Sequence, residues 1–304
     1  MILFHNIEYV QKHSSLDHLG VYNVYPGQYN LFMGEITRNA YAKINLTLDV
    51  LHKREDGYHA LYGIMRQIDL YDVVRVRAAA DVRVTSDVPL PADNTLYRAA
   101  RSYMELCGGG AHISVQKHIP SESGLGGASA DAAAVLRALQ GIYGAASEAQ
   151  LYELGARIGA DVPFCLMGGC VLAEGVGERL TPLSPIRLAL VLVKGAGGIR
   201  TADLFRSLKL PVEHPDTQAA LRAVEQNDAK ALAANVKNAL TPAAVAVMPQ
   251  IQGYKEQLLR LGALGAEMTG SGSAVFGIFE EAAAARAAAR AFVGADFVQA
   301  VSTV

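Results

Sequence analysis

The chain has 304 residues, is 51% hydrophobic, and carries 27 Lys and Arg against 29 Asp and Glu, for a formal net charge of −2. A chain of this length buries a large core and commonly divides into two domains. Because the charge is nearly balanced, neither a nucleic acid nor an anionic membrane is expected as a partner. An anionic ligand would have to be held by a local site.

Targeting signals and cysteines narrow the class of protein. Apolar runs such as 188–193 are strand-sized and far shorter than the roughly 18 residues of a membrane span, so no membrane partner is predicted. The N-terminus shows no secretory signal, and the expected compartment is the cytoplasm.

The three cysteines, Cys107, Cys165 and Cys170, form no CxxC pair and have no His at metal-ligand spacing. We interpret them as reduced, small apolar residues.

The first 38 residues differ from the rest of the chain. They are rich in His, Tyr and Asn and show neither helical nor strand periodicity. Chain ends that are not tied into a core usually tolerate removal. We therefore predict that residues 1–38 are a dispensable extension, with Met33 as the natural initiator.

Patterned sequence follows this extension. Apolar and polar residues alternate over 44–50, which is the pattern of a half-buried strand. On such a strand Lys43 and Asn45 share the face opposite Ile44 and Leu46. A lone Lys in a strand is usually a solvated edge residue, and Asp56-Gly57 by itself is an ordinary turn.

Strands and helices then mix along the whole chain. Helices are predicted from Asn94 to the glycines at 108–110, over 129–143, from the capping box at 147–150, within 216–262 and over 280–292. Strands are predicted near 73–76, 82–84, 111–115, 188–193 and 274–279, with a short one at the end. There is no regular βαβ period, so the sequence predicts an α+β protein with two domains, 39–186 and 187–304.

A glycine-rich segment between a predicted strand and an Ala-rich helix is the most informative part of the chain. Its residues are Pro120, Ser121, Glu122, Ser123, Gly124, Leu125, Gly126, Gly127, Ala128, Ser129 and Ala130. Glycine lets a backbone approach a ligand closely, and amide groups at a helix start bind phosphate. The spacing matches neither G-x-G-x-x-G nor G-x-x-x-x-G-K-[ST]. The pattern alone is compatible with a phosphate-binding loop or with a tight turn.

A second polar position follows the next predicted helix. Asp161 lies in the segment G-A-D-V-P-F at 159–164, just past the helix end. An Asp in this place is by default a turn or capping residue. Taken alone, this segment does not predict chemistry.

Taken together, these segments resemble the GHMP kinase family. The glycine-rich segment is similar to that family's P-x-x-x-G-L-G-[SG]-[SG] loop, and 268–274 resembles its third motif. Four segments resemble one branch of the family. They are A-x-A-K-I-N-L with D-G-Y-H-x-L at 40–61, G-A-D-V-P-F, A-x-G-x-G-E at 173–178, and 194–205. The last of them lacks the Pro that the branch usually has there. Ala128 and Ala130 depart from the branch, which usually has Gly and Ser there. The resemblance extends from about residue 40 to the end of the chain.

The resemblance implies a fold and a reaction. The implied fold is the two-domain GHMP kinase fold, with a ribosomal protein S5 domain 2-like N-terminal domain and a ferredoxin-like C-terminal domain. The implied reaction uses ATP and Mg²⁺ to phosphorylate the 2-hydroxyl of a small-molecule substrate, a cytidine diphosphate-linked methylerythritol, in the non-mevalonate route to isoprenoid precursors. Another small-molecule kinase of the family and an inactive nucleotide-binding homologue are the alternatives.

The resemblance also implies residue roles. The loop 120–130 would cradle the ATP phosphates, Asp161 would be the catalytic base, and Lys43 would orient Asp161 and stabilise charge. The magnesium ligands and the oligomeric state are not assigned by the sequence.

The remaining implied roles concern the second substrate. Tyr58 and Phe205 are candidate stacking partners of the cytosine, since aromatic rings offer a large contact at low entropic cost. His59 would hydrogen-bond the edge of the base. Asn45 and Thr201 are the other expected substrate contacts.

Overall fold

The computed structural model describes residues 34–304, so most of the predicted extension 1–38 lies outside the described part of the chain. Its last residues do not. Ile36–Arg38 open the first strand and pair with 74–76 of a long strand, and the Ile36 side chain packs against the core. The sheet therefore begins before residue 39. The three consecutive exposed polar residues that follow Ile36 hide this strand start in the sequence.

The described chain mixes strands and helices along its length. The strands are β1 (Ile36–Asn45), β2 (Thr47–Lys53), β3 (His59–Ala79), β4 (Arg83–Ser86), β5 (Gly110–Gln116), β6 (Cys170–Gly175), β7 (Arg179–Pro182), β8 (Ala189–Lys194), β9 (Lys237–Asn238), β10 (Gly265–Met268), β11 (Val275–Phe279) and β12 (Phe297–Ser302). The helices are α1 (Thr95–Cys107), α2 (Gly127–Tyr143), α3 (Glu148–Ile158), α4 (Val162–Met167), α5 (Thr201–Ser207), α6 (Thr217–Glu225), α7 (Ala229–Asn235), α8 (Thr241–Val247), α9 (Gln250–Arg260) and α10 (Ala282–Ala291). The predicted α+β class is confirmed.

The long strand β3 organises the first sheet. Its 21 residues pair antiparallel with β1, β2, β5 and β6. Strand β4 lies parallel to β5, β7 pairs with β6, and the two-residue strand β9 lies parallel to β2. Helices α1, α2 and α3 contribute to a core cluster against this sheet. The sheet thereby gives the amino ends of α1 and α2 a rigid base.

The predicted strand over 44–50 is divided in the structure. Strand β1 ends at Asn45 and β2 starts at Thr47, with Leu46 between them. The Leu46 amide still donates to the carbonyl oxygen of Ile64 at 2.8 Å. Both strands are held by β3, and the bend separates the part of the segment that carries Lys43 from the part that carries Leu48.

The second sheet has the strand order β10-β11-β8-β12, with antiparallel pairing throughout. In chain order its elements run β8, helices, β10, β11, α10, β12, which is the β-α-β-β-α-β arrangement of a ferredoxin-like fold. Strand β9 comes from this half of the chain but joins the first sheet, and 34–304 packs as one compact unit. The division into 39–186 and 187–304 stays a prediction.

Helix ends follow local sequence signals. The Asn94 side chain accepts from the Tyr97 amide at the start of α1, and Gly108 with φ 71° ends that helix. Ser147 and Gln150 form the predicted capping box of α3. Within residues 34–304, no helix has both the length and the apolar character needed to cross a membrane.

Candidate active site

A cleft of about 1330 Å³ opens beside the amino ends of α1 and α2. Small-molecule sites commonly occupy roughly 300–1000 Å³, so this cleft has room for two ligands. Nearly all residues predicted to form a site line it. They are Lys43, Asn45, Tyr58, His59, Pro120, Ser121, Glu122, Ser123, Gly124, Gly126, Gly127, Ala128, Ser129, Asp161, Thr201 and Phe205.

Two residues of the predicted phosphate loop do not face the cleft. Leu125 is 0% exposed and Ala130 is 3% exposed, and each belongs to a hydrophobic core cluster. Their side chains anchor the loop in the core and are therefore not placed to contact a nucleotide. Leu125 contributes its carbonyl oxygen, which accepts from the Lys43 amide at 2.9 Å.

The glycine-rich loop leads directly into α2. Gly126, with φ 73°, precedes the first helical residue, and the backbone at Glu122 is also left-handed, with φ 48°. The first turn of a helix leaves amide N–H groups without intrahelical partners, and the helix dipole is positive at this end. The loop and α2 therefore form a place where phosphate groups can be held by backbone amides.

Lys43 lies buried under this loop, with only 4% of its side chain exposed. Its ammonium nitrogen donates to Asn45 Oδ1 at 2.6 Å and lies 3.4 Å from Asp161 Oδ2. A Cβ added at Gly126 would be 2.9 Å from Lys43 Cγ. A side chain at position 126 would therefore clash with Lys43 whether or not a ligand is bound, and this is the first reason for glycine there. The predicted shared strand face of Lys43 and Asn45 is confirmed, although that face is buried and not solvated.

Asp161 reaches Lys43 from another element. It directly precedes the six-residue helix α4, whose second residue is Pro163. The Asp161 side chain lines the cleft and is 34% exposed. Gly159, two residues earlier, lies beside the hydroxyl of Ser129, which is 3.6 Å from the position a Cβ would take. A carboxylate, an ammonium group and the start of α2 therefore face one space.

The third glycine-rich segment, 268–273, packs against both the loop and Lys43. A Cβ at Gly124 would lie 2.1 Å from the Thr269 carbonyl oxygen, and one at Gly270 would lie 3.2 Å from Lys43 Nζ. The Thr269 hydroxyl accepts from the Asn45 amide at 2.9 Å. We call the loop 120–130, Lys43, Asp161 and the turn 268–272 the phosphate side of the cleft.

The opposite part of the cleft carries the aromatic residues. His59 stacks on Phe205 with ring centroids 5.2 Å apart, while the Tyr58 side chain is 66% exposed. Burial, with the charge of Lys53, lowers the pKa of His59, so its ring is neutral near pH 7 and offers one donor and one acceptor. The Thr201 hydroxyl lies 2.7 Å from that of Ser271. We call Tyr58, His59, Thr201 and Phe205 the base side.

A buried ionic cluster beside the loop was missed by the sequence reasoning. Lys117 bridges the carboxylates of Asp72 and Asp131, and Lys117 Nζ lies 2.5 Å from Asp131 Oδ2. Asp72 Oδ1 also accepts from the amides of His118 and Ile119. Lys117 and Asp131 line the cleft. The available signals were the two charged residues that flank the loop, Lys117 three positions before it and Asp131 directly after it.

The cluster is not fully satisfied. Asp131 Oδ1 is buried and has no hydrogen-bond partner among the described residues. Burial and the neighbouring Asp72 carboxylate raise the pKa of Asp131 to about 7, although the charge of Lys117 acts in the opposite direction. Burial also raises the pKa of Cys165, and that of Cys170 to about 11, in line with inert apolar thiols.

This geometry is that of a small-molecule kinase in which a glycine-rich loop and a Lys–Asp pair face one cleft. Comparison with known proteins gives the same class. A family model described as the GHMP kinases N terminal domain matches residues 94–169, and one described as GHMP kinases C terminal matches 220–298. A protein of Pelotomaculum thermopropionicum named 4-diphosphocytidyl-2-C-methyl-D-erythritol kinase is 44% identical over 86% of this chain and 95% of its own length.

Two further matches carry the same name. A relative from Clostridium tetani is 42% identical, covering 79% of this chain and 89% of its own. A crystal structure of 4-(cytidine 5'-diphospho)-2C-methyl-D-erythritol kinase superposes with a TM-score of 0.78 at 34% identity, covering 88% of this chain and 99% of the other. The chain therefore belongs to the GHMP kinase family, in the branch formed by these relatives, as the sequence motifs predicted.

Proposed function

We propose that this chain transfers the γ-phosphoryl group of ATP to the 2-hydroxyl of 4-diphosphocytidyl-2-C-methyl-D-erythritol, a step of the non-mevalonate route to isoprenoid precursors. The observation that carries the proposal is the contact between Lys43 Nζ and Asp161 Oδ2 at 3.4 Å, in the same cleft as the glycine-rich loop. Relatives of more than 40% identity carry the name of this kinase.

The proposed chemistry needs positioning and charge stabilisation more than covalent participation of the protein. The backbone of 120–130 holds the ATP phosphates at the start of α2. Asp161 accepts the proton of the substrate hydroxyl, whose oxygen forms the new bond to the γ-phosphorus while the bond to ADP breaks. Lys43, fixed by Asn45, orients the Asp161 carboxylate and stabilises negative charge at the reacting oxygens.

Magnesium is the proposed metal. No cluster of three or more His, Cys, Asp or Glu side chains suited to a metal occurs within 34–304. Mg²⁺ commonly binds one or two carboxylates together with substrate phosphates and water. The Ser129 hydroxyl, which lines the cleft beside the loop, would bind the ion together with the ATP phosphate oxygens and water, while the Asp161 carboxylate stays free to act as the base. Bound with ATP, the ion neutralises charge on the phosphate oxygens.

The base side supports a cytidine nucleotide as the second substrate. Tyr58 and Phe205 present aromatic rings for stacking, and neutral His59 matches the mixed donors and acceptors of a cytosine edge. Asn45 and Thr201 are the proposed contacts to the rest of the substrate. The proposed compartment is the cytoplasm.

The test is a product analysis. The purified protein is incubated with ATP, Mg²⁺ and, separately, the cytidine substrate, homoserine and mevalonate, and products are identified by mass and phosphorus NMR. We expect one new phosphate ester on the cytidine substrate. Preferred phosphorylation of another alcohol would point to a different kinase of the family. ATP binding without any product would indicate an inactive homologue.

A further inference from the structure

Asn238 is a buried polar residue that no motif assigns. It is 2% exposed and lies on β9, the short strand that pairs with β2. The backbone at this point is anchored, because the Ala239 amide donates to the Leu48 carbonyl oxygen at 2.8 Å. Asn238 is therefore held on the first sheet while its side chain is directed at another part of the molecule.

The Asn238 side chain makes three hydrogen bonds of normal length with the described residues. Asn238 Nδ2 donates to the carbonyl oxygens of Met268 at 3.0 Å and Gly270 at 2.8 Å. Asn238 Oδ1 accepts from the Leu240 amide at 2.9 Å. One amide group therefore clamps both ends of the three-residue run 268–270, which is the first half of the turn on the phosphate side.

That turn is bonded to the groups proposed to act in the reaction. The Thr269 hydroxyl accepts from the Asn45 amide, the Thr269 carbonyl oxygen packs against Gly124 of the loop, and the Gly270 backbone lies against Lys43 Nζ. A displacement of 268–270 would move the floor of the loop and the surroundings of the lysine together. Misplacement of reacting groups by about 1 Å can cost about a hundredfold in rate.

We propose that Asn238 is a positioning residue for phosphoryl transfer, acting by fixing the turn 268–270 against Lys43 and the phosphate loop. The inference rests on the proposed function. Asn238 touches neither substrate nor metal in this scheme. Its role is to supply two N–H donors to two carbonyl oxygens from a strand that belongs to the other sheet.

The primary variant is Asn238→Asp, which keeps the shape but faces a carboxylate toward two carbonyl oxygens. We expect kcat to fall at least about tenfold. The KM for the cytidine substrate should change less than about threefold, since the base-side residues lie on other elements. Asn235→Asp is the matched control, because Asn235 Nδ2 also donates to a carbonyl, that of Ala231, but within its own helix. It should keep the wild-type kcat.

Loss of stability alone is excluded with a second control. Leu232→Ala on α7 removes a fully buried side chain and should lower the melting temperature without touching the turn. All kcat values are taken per folded molecule, well below the melting temperatures. If Asn238→Asp turns over like Leu232→Ala at similar stability, the positioning role is wrong. Should Asn238→Asp not fold, Asn238→Ala takes its place, and wild-type turnover by the folded variant overturns the proposal.

A separate readout keeps this test distinct from that of the function. If the wild type does not phosphorylate the cytidine substrate, the proposed function fails. The positioning of the loop is then measured by the Kd for ATP in calorimetry, which Asn238→Asp should raise about threefold or more through the displaced turn. In that case an unchanged Kd would leave Asn238 a structural residue only and would overturn the positioning role.

Discussion

The phosphate side and the base side of the cleft are built differently. Lys43 is 4% exposed and is hydrogen-bonded to Asn45, whereas the Tyr58 side chain is 66% exposed. On the phosphate side there is no room for a Cβ at two glycines, because one at Gly124 would meet the Thr269 backbone and one at Gly126 would meet the Lys43 side chain. Lys43 is therefore held before substrate binds, whereas the exposed Tyr58 ring keeps freedom to settle around the base. Preorganisation is concentrated where charge develops.

The largest expected effect tests the Lys43–Asp161 pair. Asp161→Asn keeps the shape but removes the proposed base, and we expect kcat to fall about 10²- to 10⁴-fold with ATP affinity retained. Lys43→Met should give a similar fall. Because residues that act as a unit are non-additive, the double variant should be scarcely slower than the worse single one.

The control for this pair is Asp228→Asn, an equal chemical change at a helix N-cap where Asn serves as well as Asp. It should leave kcat unchanged. Near-normal turnover in both Asp161→Asn and Lys43→Met would show that the pair has no catalytic role. Near-normal turnover in Asp161→Asn alone would mean that the reaction proceeds without a protein base.

The next largest effect concerns the tight packing at Gly126. Gly126→Ala puts a Cβ against Lys43 at a φ of 73°, so the loop has to shift, and we expect the Kd for ATP to rise at least about tenfold. Gly144→Ala is the matched control. It has a similar φ of 62° but nothing within 4 Å of the new Cβ. Equal ATP affinity of the two variants, measured by titration, would argue that the packing is irrelevant to the nucleotide.

A smaller effect is expected on the base side. Phe205→Ala and Tyr58→Ala each remove a stacking ring, which is worth about 1–3 kcal/mol per base in other proteins. We expect the KM for the cytidine substrate to rise roughly tenfold while the KM for ATP stays constant. Steady-state kinetics with both substrates varied separates the two constants. A fall in kcat without a change in KM would contradict the division of the cleft into two sides.

The last expected effect is on stability and not on catalysis, and it reveals the cost of burying charge beside the phosphate loop. The pKa of Asp131 is raised from 3.8 to about 7, so the folded state binds a proton more tightly than the unfolded state. Stability therefore falls as pH rises from about 4 to about 7. We expect Asp131→Asn to flatten this dependence and to raise the free energy of unfolding at pH 8 by roughly 1–3 kcal/mol.

Asp72→Asn provides a control of opposite sign. Asp72 accepts two backbone amides as well as Lys117, so its replacement should destabilise the protein. Urea unfolding between pH 4 and pH 8 measures both variants. Identical pH dependence in the wild type and Asp131→Asn would show that Asp131 is not the group responsible.

Local signals in the sequence predicted the elements better than their partners. The Asn94 cap and the Ser147 capping box set helix starts correctly, because caps depend on neighbouring residues only. Leu106, three residues after the buried Tyr103 of α1, is nevertheless 41% exposed. Nothing in the 73–76 pattern indicates a strand of 21 residues, since that length is set by four partner strands.

The same distinction applies to the site. The motifs place Lys43, Asp161 and the loop at one cleft, and the structure brings them together. Asn238 had no signal, because its role arises from contacts with carbonyl oxygens 30 or more residues away. The stacking of His59 on Phe205 likewise depends on tertiary placement, which no local pattern indicates.

The two-residue strand β9 has a consequence for synthesis of the chain. Thr47 and Leu48 on β2 find their parallel partners at Lys237 and Asn238. While the ribosome is still making the intervening segment, the edge of β2 has no neighbour, and an open edge invites pairing with other chains. The sheet that carries Lys43 is thus completed only after residue 238 has emerged, and until then Thr47 and Leu48 remain open to pairing with another chain.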